Sequence, residues 1–483
     1  MNRRYHLPIA RAAAAILAAA CAGAPAVIIA QAPNPTSAAN PFFGSVTVRP
    51  ASDEPLKLSL DEAIQLGLKN NLGLKEAENG EKTIQGEKNE ALQEFLPNIT
   101  LTGDTGVHQQ NLAAIGFGPG TIKLFASHLP PGAALSEITR DELTEGQIHF
   151  KQTLFSGPVI AAWKGATAAQ RAAHFAKMSA RGEVVQQVAS AYLRAIAASS
   201  EIDNAKAQVA ADSVLFENAR ASHQAGVAAH LDELRAQVEL QARQQALIAA
   251  ENAYEKSLIL LKREIGIDPG QTIVLTDPAP YSDLAAQTPE ELRAIAFKNR
   301  QDYQNLQNQA VEYKAIHTAY RSQRLPSLSF SGYYGVSQVG GAGANGNFAA
   351  VGTLSIPIFR EAKLRGDADA AQAQLDAVNA QLDDLRSKID QQVRSALLDV
   401  NATAKLVEVA RSNVDLATRA LSDESDRVTA GVDDNLPLVN SQATLASAET
   451  NLVESLYQYN LSKLALARAA GVLEQQYRDY LGR

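Results

Sequence analysis

A single cysteine, Cys21, among 483 residues leaves no internal disulfide framework and no cysteine-based metal cluster. Positive charge is not in excess: 44 lysines and arginines against 52 aspartates and glutamates give a net charge of −8. With no sustained basic run, nucleic-acid binding is not expected. Beyond the N-terminal segment, no apolar run reaches the roughly 18 residues that a membrane-spanning helix requires. Aromatic residues are scarce at 6%, and 30 glycines with 19 prolines are too few for a fibrous or low-complexity chain. At 46% hydrophobic, the chain is nonetheless too apolar for disorder.

The motifs of catalysis are missing as well. There is no Gly-x-Ser-x-Gly elbow and no Cys–His pairing. The glycine-rich stretch Gly340 to Gly346 lacks the following Lys-Ser/Thr and helix start of a phosphate-binding loop, and reads as a flexible loop. The histidines, His6, His108, His128, His149, His174, His223, His230 and His317, form no close ligand pair with suitable carboxylates. His223 and His230 flank a turn and could hold a metal across it, although solvated polar residues account for them more simply. No catalytic residue, cofactor or metal site is therefore expected, and the chain is not expected to be an enzyme.

What is present begins with Arg3 and Arg4 ahead of the apolar run Ala12 to Ala20 and the small residues Ala22, Gly23 and Ala24. That is the plan of a secretory signal peptide, with cleavage after Ala24 or Ala32, each followed by proline. Cys21 is alternatively a candidate lipidation cysteine, with Leu17 one position too far upstream for a good match. Either way the mature chain is exported, and any membrane crossing must be made by strands.

The rest of the chain repeats itself. Leu96-Pro97-Asn98-Ile99-Thr100-Leu101-Thr102-Gly103 aligns with Leu325-Pro326-Ser327-Leu328-Ser329-Phe330-Ser331-Gly332 at an offset of 229, and Glu62 and Lys69-Asn70 match Glu291 and Lys298-Asn299 at the same offset. Further on the offset is 205: Gly226-Val227 matches Gly431-Val432, Gln237 matches Gln442, Tyr254 matches Tyr459 and Gly266 matches Gly471. The first copy thus carries about 24 extra residues. The expected division is a signal peptide over 1–32, an N-terminal segment over 33–56, a first repeat over 57–270, a linker over 271–286, a second repeat over 287–473 and a C-terminal tail over 474–483.

Each copy opens with a helix, Leu60 to Glu94 or Glu290 to Ser322, which stops at a Leu-Pro step. Two strands of period two follow, near 98–108 and 147–155 in the first copy and near 327–338 and 348–357 in the second. Ile99, Leu101, Ile148, Phe150, Leu328, Phe330, Tyr334 and Phe348 fall at apolar positions, and Thr100, Thr102, Ser327, Ser329 and Ser331 at polar ones. The same alternation suits half-buried strands of a soluble sandwich equally well. A long loop, 109–146, separates the first strand pair. Then come very long helices, Pro158 to about Ala225 and Arg360 to Ala430, free of internal proline. Leu375, Val378, Leu382, Leu385, Ile389, Val393, Leu397, Val400, Ala404 and Val407 trace a coiled-coil seam. A Gly-Val turn leads into return helices, Leu231 to Ile265 and Pro437 to Ala470, so that each copy ends in an antiparallel hairpin. The fold class is mainly α with a small β part.

Four strands with an apolar outer face cannot sit alone in lipid, because an open sheet leaves two edges unpaired. A transmembrane barrel takes about eight strands or more, so several chains are needed, and three would supply twelve. At this point the chain resembles the outer-membrane efflux protein family, the TolC-like channels of tripartite exporters. The resemblance rests on Leu60-Asp61-Glu62-Ala63-Ile64, the two Leu-Pro strand starts, Gln152-Thr153-Leu154-Phe155-Ser156-Gly157, Ile356-Pro357-Ile358-Phe359, Ala225-Gly226-Val227 and Ala430-Gly431-Val432. It implies a homotrimer with a twelve-stranded barrel in outer-membrane lipid above a periplasmic helical tunnel. It also implies a periplasmic adaptor protein and, through it, an inner-membrane RND or ABC pump. By the same resemblance the hairpin turns form the periplasmic tip, with Arg220, Gly226, Val227, Arg427, Gly431 and Val432 at adaptor-contact positions. Family aspartates that ring the aperture match Pro437 and Asn440 here, and the neighbouring Asp433 and Asp434 are substitute candidates, unless Asp434 or Asn435 simply caps the next helix. The competing expectation is a secreted or surface stalk without a pore, which gives no reason for strands to interrupt the helices twice.

Overall fold

The computed structural model describes residues 39–46, 48–126, 128, 138–227, 229–278, 280–285, 287–340, 343–430 and 435–482. The expected signal peptide with Cys21, and the turn Gly431-Val432-Asp433-Asp434, lie outside the described residues.

The chain enters through β1 (Leu56–Leu58) and a capping box. Ser59 accepts from the Glu62 amide while the Glu62 carboxylate accepts from the Ser59 amide, so two end donors of α1 (Leu60–Asn70) are satisfied reciprocally. The helix expected to run on to Glu94 is interrupted. Asn71 leaves the helical region at φ −63° and ψ 134°, and its side chain caps α2 (Leu72–Gln93) by accepting from the Leu74 amide. The apolar period continues across the break, so it leaves no trace in the hydrophobic pattern. β2 (Asn98–Asn111) follows the Leu-Pro step, and then a short 3₁₀ turn, Leu112–Ile115, and α3 (Pro119–Ala126). β3 (Ile138–Phe155) begins well inside the stretch expected to be loop. Residues 138–146 lack an apolar alternation, and what makes them a strand is the ladder to β2, with Arg140 donating to Gln109 at 2.9 Å and a Thr105–Thr144 hydroxyl pair at 2.9 Å.

α4 (Gly157–Gln224) has 68 residues, roughly 100 Å of helix. α5 (His230–Ile265) returns along it. β4 (Ile273–Leu275) pairs in parallel with β1, so the expected linker contributes a rung to the body. A second capping box, Thr288 with Glu291, starts α6 (Pro289–Asn299). α7 (Gln301–Ser322) begins after a break at Arg300, φ −65° and ψ 121°, where one continuous helix was again expected. Here the guanidinium braces the break: it donates to both Asp302 carboxylate oxygens at 3.0 and 2.6 Å and to the Ala469 carbonyl at 3.3 Å. β5 (Ser327–Val339) and β6 (Asn345–Ser355) form the second strand pair. β6 starts and stops earlier than its expected span, ending before Pro357, which has no amide to give a ladder. α8 (Glu361–Thr429, 69 residues) and α9 (Asn435–Ala469) make the second hairpin. The segment expected to be a tail folds as α10 (Leu473–Leu481), burying Tyr477, Tyr480 and Leu481.

The core lies about half-way along the long helices. Val184, Val185, Val188, Tyr192 and Leu193 of α4 pack with Leu60 and Ile64 of α1, Leu261 and Ile265 of α5, and Leu464 and Ala467 of α9. The buried Tyr192 hydroxyl lies 2.9 Å from the Leu58 carbonyl and 2.8 Å from Asp277 Oδ2, which also accepts the Leu60 amide at 2.7 Å, tying β1, α1 and α4 together. Along α8 the seam is buried at Val378, Leu382, Ile389, Val393, Val400 and Val407.

One buried acid makes stability pH-dependent. Burial pushes the Glu264 carboxyl up from 4.5 to about 8; one oxygen accepts from Gln187 and the other has no partner among the described residues. A carboxyl raised on folding lends stability that is complete below the ordinary carboxylate range and is lost as pH climbs through about 8. The slope is at most about 1.4 kcal/mol per pH unit. Glu264→Gln is therefore expected to raise the melting temperature at pH 8.5 and change it little at pH 5; equal shifts at both would contradict the assignment.

Candidate channel surface and hairpin tips

The four long strands form one antiparallel sheet in the order β2-β3-β5-β6. Its register places side chains in rows. Ile99, Phe150, Gly332 and Ala350 are in one row, and Leu101, Ile148, Tyr334 and Phe348 in the next, all on one face. That face is open: Leu101 is 78% exposed, Phe348 76% and Tyr334 70%. An exposed patch of this kind on a single chain marks a surface meant for lipid or a partner. The other face carries Thr100, His149 and Tyr333 in one row and Thr102, Gln147, Gly335 and Asn347 in another. His149 and Thr102 are linked at 3.1 Å and Asn347 donates to Ser337 at 3.0 Å, so this face is a hydrogen-bonded, wettable surface. Ser329 and Ser331 lie on it, as the alternation requires. β2 pairs only with β3 and β6 only with β5, which leaves both outer edges without ladder partners among the described residues.

At the far end of the long helices, the first tip is a tight reversal. Gly226 sits at φ +75°, its amide donates to the His223 carbonyl at 2.9 Å, and the Val227 amide donates to the Ser222 carbonyl at 3.0 Å. This is a left-handed helix stop that only glycine adopts freely. Val227 beyond it is 79% exposed. Arg220 is solvated and pairs with Glu217 at 3.8 Å, and Arg427 near the second tip pairs likewise with Glu424 at 3.9 Å. Each lies on the last turns of a long helix and not on the turn itself. Asn440 is exposed on the first turns of α9, its carbonyl accepting from Thr444 at 2.9 Å. Gly431, Val432, Asp433 and Asp434 fall outside the described residues.

Two features near the tips were not anticipated from sequence. A groove of about 930 Å³ runs between the two hairpins, lined by Leu215, Leu231, Val238, Leu421, Val428 and Leu438. It needs both copies folded side by side, which no local pattern shows. Glu233 meets both flanking histidines, 2.6 Å from His223 Nδ1 and 3.5 Å from His230 Nδ1. The one sequence signal for it is the spacing of three from His230 on a helix.

The chain matches the family model described as outer membrane efflux protein over residues 63–266 and 293–472. No curated protein matches it in a sequence comparison. Among solved structures it is similar to the outer membrane protein VceC of Vibrio cholerae, at 17% identity and a TM-score of 0.70, covering 85% of this chain and 96% of that one. It is also similar to the CmeC outer membrane channel of Campylobacter jejuni, at 15% identity and TM-score 0.68, covering 95% and 98%. The MtrE outer membrane channel of Neisseria gonorrhoeae, solved in its open state, is similar at 18% identity and TM-score 0.68, covering 86% and 89%. These likenesses give the fold, a helical tunnel element with a small β part, and the family match covers most of the chain. The protein belongs to the outer membrane efflux protein family: it is an efflux channel of the outer membrane whose helices extend into the periplasm.

Proposed function

We propose that three copies close their sheets into a twelve-stranded barrel and act as the exit duct of a tripartite efflux or type I secretion system. The observation that carries this reading is the open four-stranded sheet with an apolar exposed face and two unpaired edges. In lipid those backbone groups must be satisfied, and closure with neighbouring copies does so without leaving an edge. The exposed apolar positions Leu398, Leu406, Val409 and Leu416 along α8 supply further surface for a neighbouring copy. The duct conducts passively, and the energy comes from an inner-membrane pump.

The groove between the hairpins suits an amphipathic helix from a periplasmic adaptor, whose apolar positions would occupy it. Arg220, Gly226 and Val227, with Arg427, Gly431 and Val432, are the proposed positions that would complete the adaptor contact. Asp433, Asp434 and Asn440 are the proposed aperture positions, where three copies would draw cations to the axis.

Purified protein is expected to migrate as a heat-modifiable trimer from an outer-membrane fraction and to form discrete conducting channels in planar bilayers. A soluble or surface oligomer without conductance would support the stalk reading instead. Leu231→Glu, at a position 54% exposed and so dispensable for folding, is expected to abolish adaptor cross-linking and efflux while conductance persists. Unchanged cross-linking would remove the groove from the contact.

A further inference from the structure

The first hairpin tip carries a cluster that neither the turn nor the channel requires. His223 lies on the last turn of α4, and His230 and Glu233 lie one helical turn apart at the start of α5. The left-handed stop at Gly226 folds the two helix ends together, so that one ligand atom from each of the three residues lies within 4.8 Å of the others. The two imidazole rings are 4.8 Å apart, and Glu233 Oε2 sits between them.

We propose that His223, His230 and Glu233 bind a divalent transition-metal ion, Zn²⁺ or a competitor of the same borderline character, at this tip. Two neutral imidazoles and a carboxylate are the donor set such ions take, and three protein ligands leave a fourth position for water. Tetrahedral donors about 2.0–2.2 Å from an ion are themselves about 3.3 Å apart. The present spacings of 2.6 and 3.5 Å to Glu233 bracket that figure, and all three donor atoms already lie within 4.8 Å of one another. Both histidines are partly exposed, at 37% and 63%, which leaves the rings room to turn and gives an ion a path in.

The second hairpin has no such cluster. At the 205-residue offset its counterparts are Val428, Asn435 and Leu438, none of them an imidazole or carboxylate. α8 and α9 pack against each other without any of the three groups. Occupancy would clip the end of α4 to the start of α5 and stiffen the wall of the neighbouring groove, to which Ser222, Leu231 and Asp232 belong. The site is made by one chain, so it stands or falls independently of trimer formation and of any adaptor.

The test uses the full-length, untagged protein stripped with chelator. Calorimetric titration with Zn²⁺ is expected to show one saturable site per chain, and Co²⁺ to give the visible absorption of a low-symmetry nitrogen–oxygen site. His223→Ala and His230→Ala should each weaken binding at least tenfold, and the double variant should lose it. Absence of a saturable site, or equal binding by the double variant, overturns the proposal. A measurement that needs no variant runs alongside: Zn²⁺ should protect His223 and His230 from diethylpyrocarbonate, read by peptide mass spectrometry. Undiminished modification of both at saturating Zn²⁺ is equally decisive against it.

Discussion

Phe348→Arg is expected to remove the assembled protein from the outer membrane, while Thr100→Arg leaves it in place. The two positions lie on opposite faces of one sheet: Phe348 shares a row with Tyr334, Ile148 and Leu101, and Thr100 opposes His149. An arginine on the lipid side of a barrel costs about 2–4 kcal/mol near the bilayer midplane. The proposed trimer would carry that penalty three times over, about 6–12 kcal/mol, comparable with the whole stability of a typical domain. On the wet side the guanidinium stays solvated and puts three positive charges around the lumen, so conductance should persist with selectivity moved towards anions. Heat-modifiable migration of membrane fractions and reversal potentials in a salt gradient read the two outcomes. Survival of Phe348→Arg together with loss of Thr100→Arg would mean that the faces are assigned the wrong way round.

The second large effect compares two glycines with the same backbone and different surroundings. Gly471 and Gly226 have φ of +74° and +75°. At Gly226 an added methyl meets nothing within 4 Å, so Gly226→Ala should cost only the conformational penalty of about 1–2 kcal/mol, felt at the tip. At Gly471 the same methyl would stand 2.7 Å from the Arg300 amide nitrogen and 2.8 Å from its Cα. That backbone is held by the ion pair to Asp302 and the bond to the Ala469 carbonyl, so it cannot yield cheaply. Gly471→Ala should therefore destabilise by several kcal/mol, among the larger effects of a single substitution, and sharply reduce recovered folded protein. Thermal unfolding of the two variants side by side decides it; similar melting temperatures would show that the Arg300 contact is loose.

The contrast between these glycines also marks what a sequence can and cannot show. Gly226 and Gly471 were both visible as anchors shared between the copies, yet only the tertiary approach of Arg300 separates them. The long helices were legible because Pro158 to Ala225 and Arg360 to Ala430 hold no internal proline, and the apolar seam from Leu375 to Val407 keeps its spacing. The breaks at Asn71 and Arg300 were not, because a single capping side chain or a braced guanidinium replaces one turn of hydrogen bonds without disturbing the apolar period. Strand alternation located Ile148 to Phe155, but the polar half of β3 is held by its partner strand and has no signature of its own. Of the tip cluster, the two histidines stood out and Glu233 did not, since its contact with His223 across ten residues exists only once the chain has reversed.

The two strand pairs differ in reach. β2 has 14 residues and β3 has 18, against 13 in β5 and 11 in β6. Roughly 9–11 residues suffice to cross the hydrocarbon core of a bilayer; in the proposed barrel the second pair, with 13 residues in β5, would exceed that little and the first pair more. The three surplus residues of β2, at about 3.4 Å each along a strand tilted by about 45°, lift the crest about 7 Å above the hydrocarbon core. The crest mixes polar residues such as Gln109, Asn111, Arg140 and Glu142 with the exposed Leu124, Phe125 and Ile138. In the proposed trimer the outer rim would be crenellated, with one raised hairpin from each subunit and a low saddle between, and antibodies or phage tail fibres approaching from outside would meet the raised hairpins first.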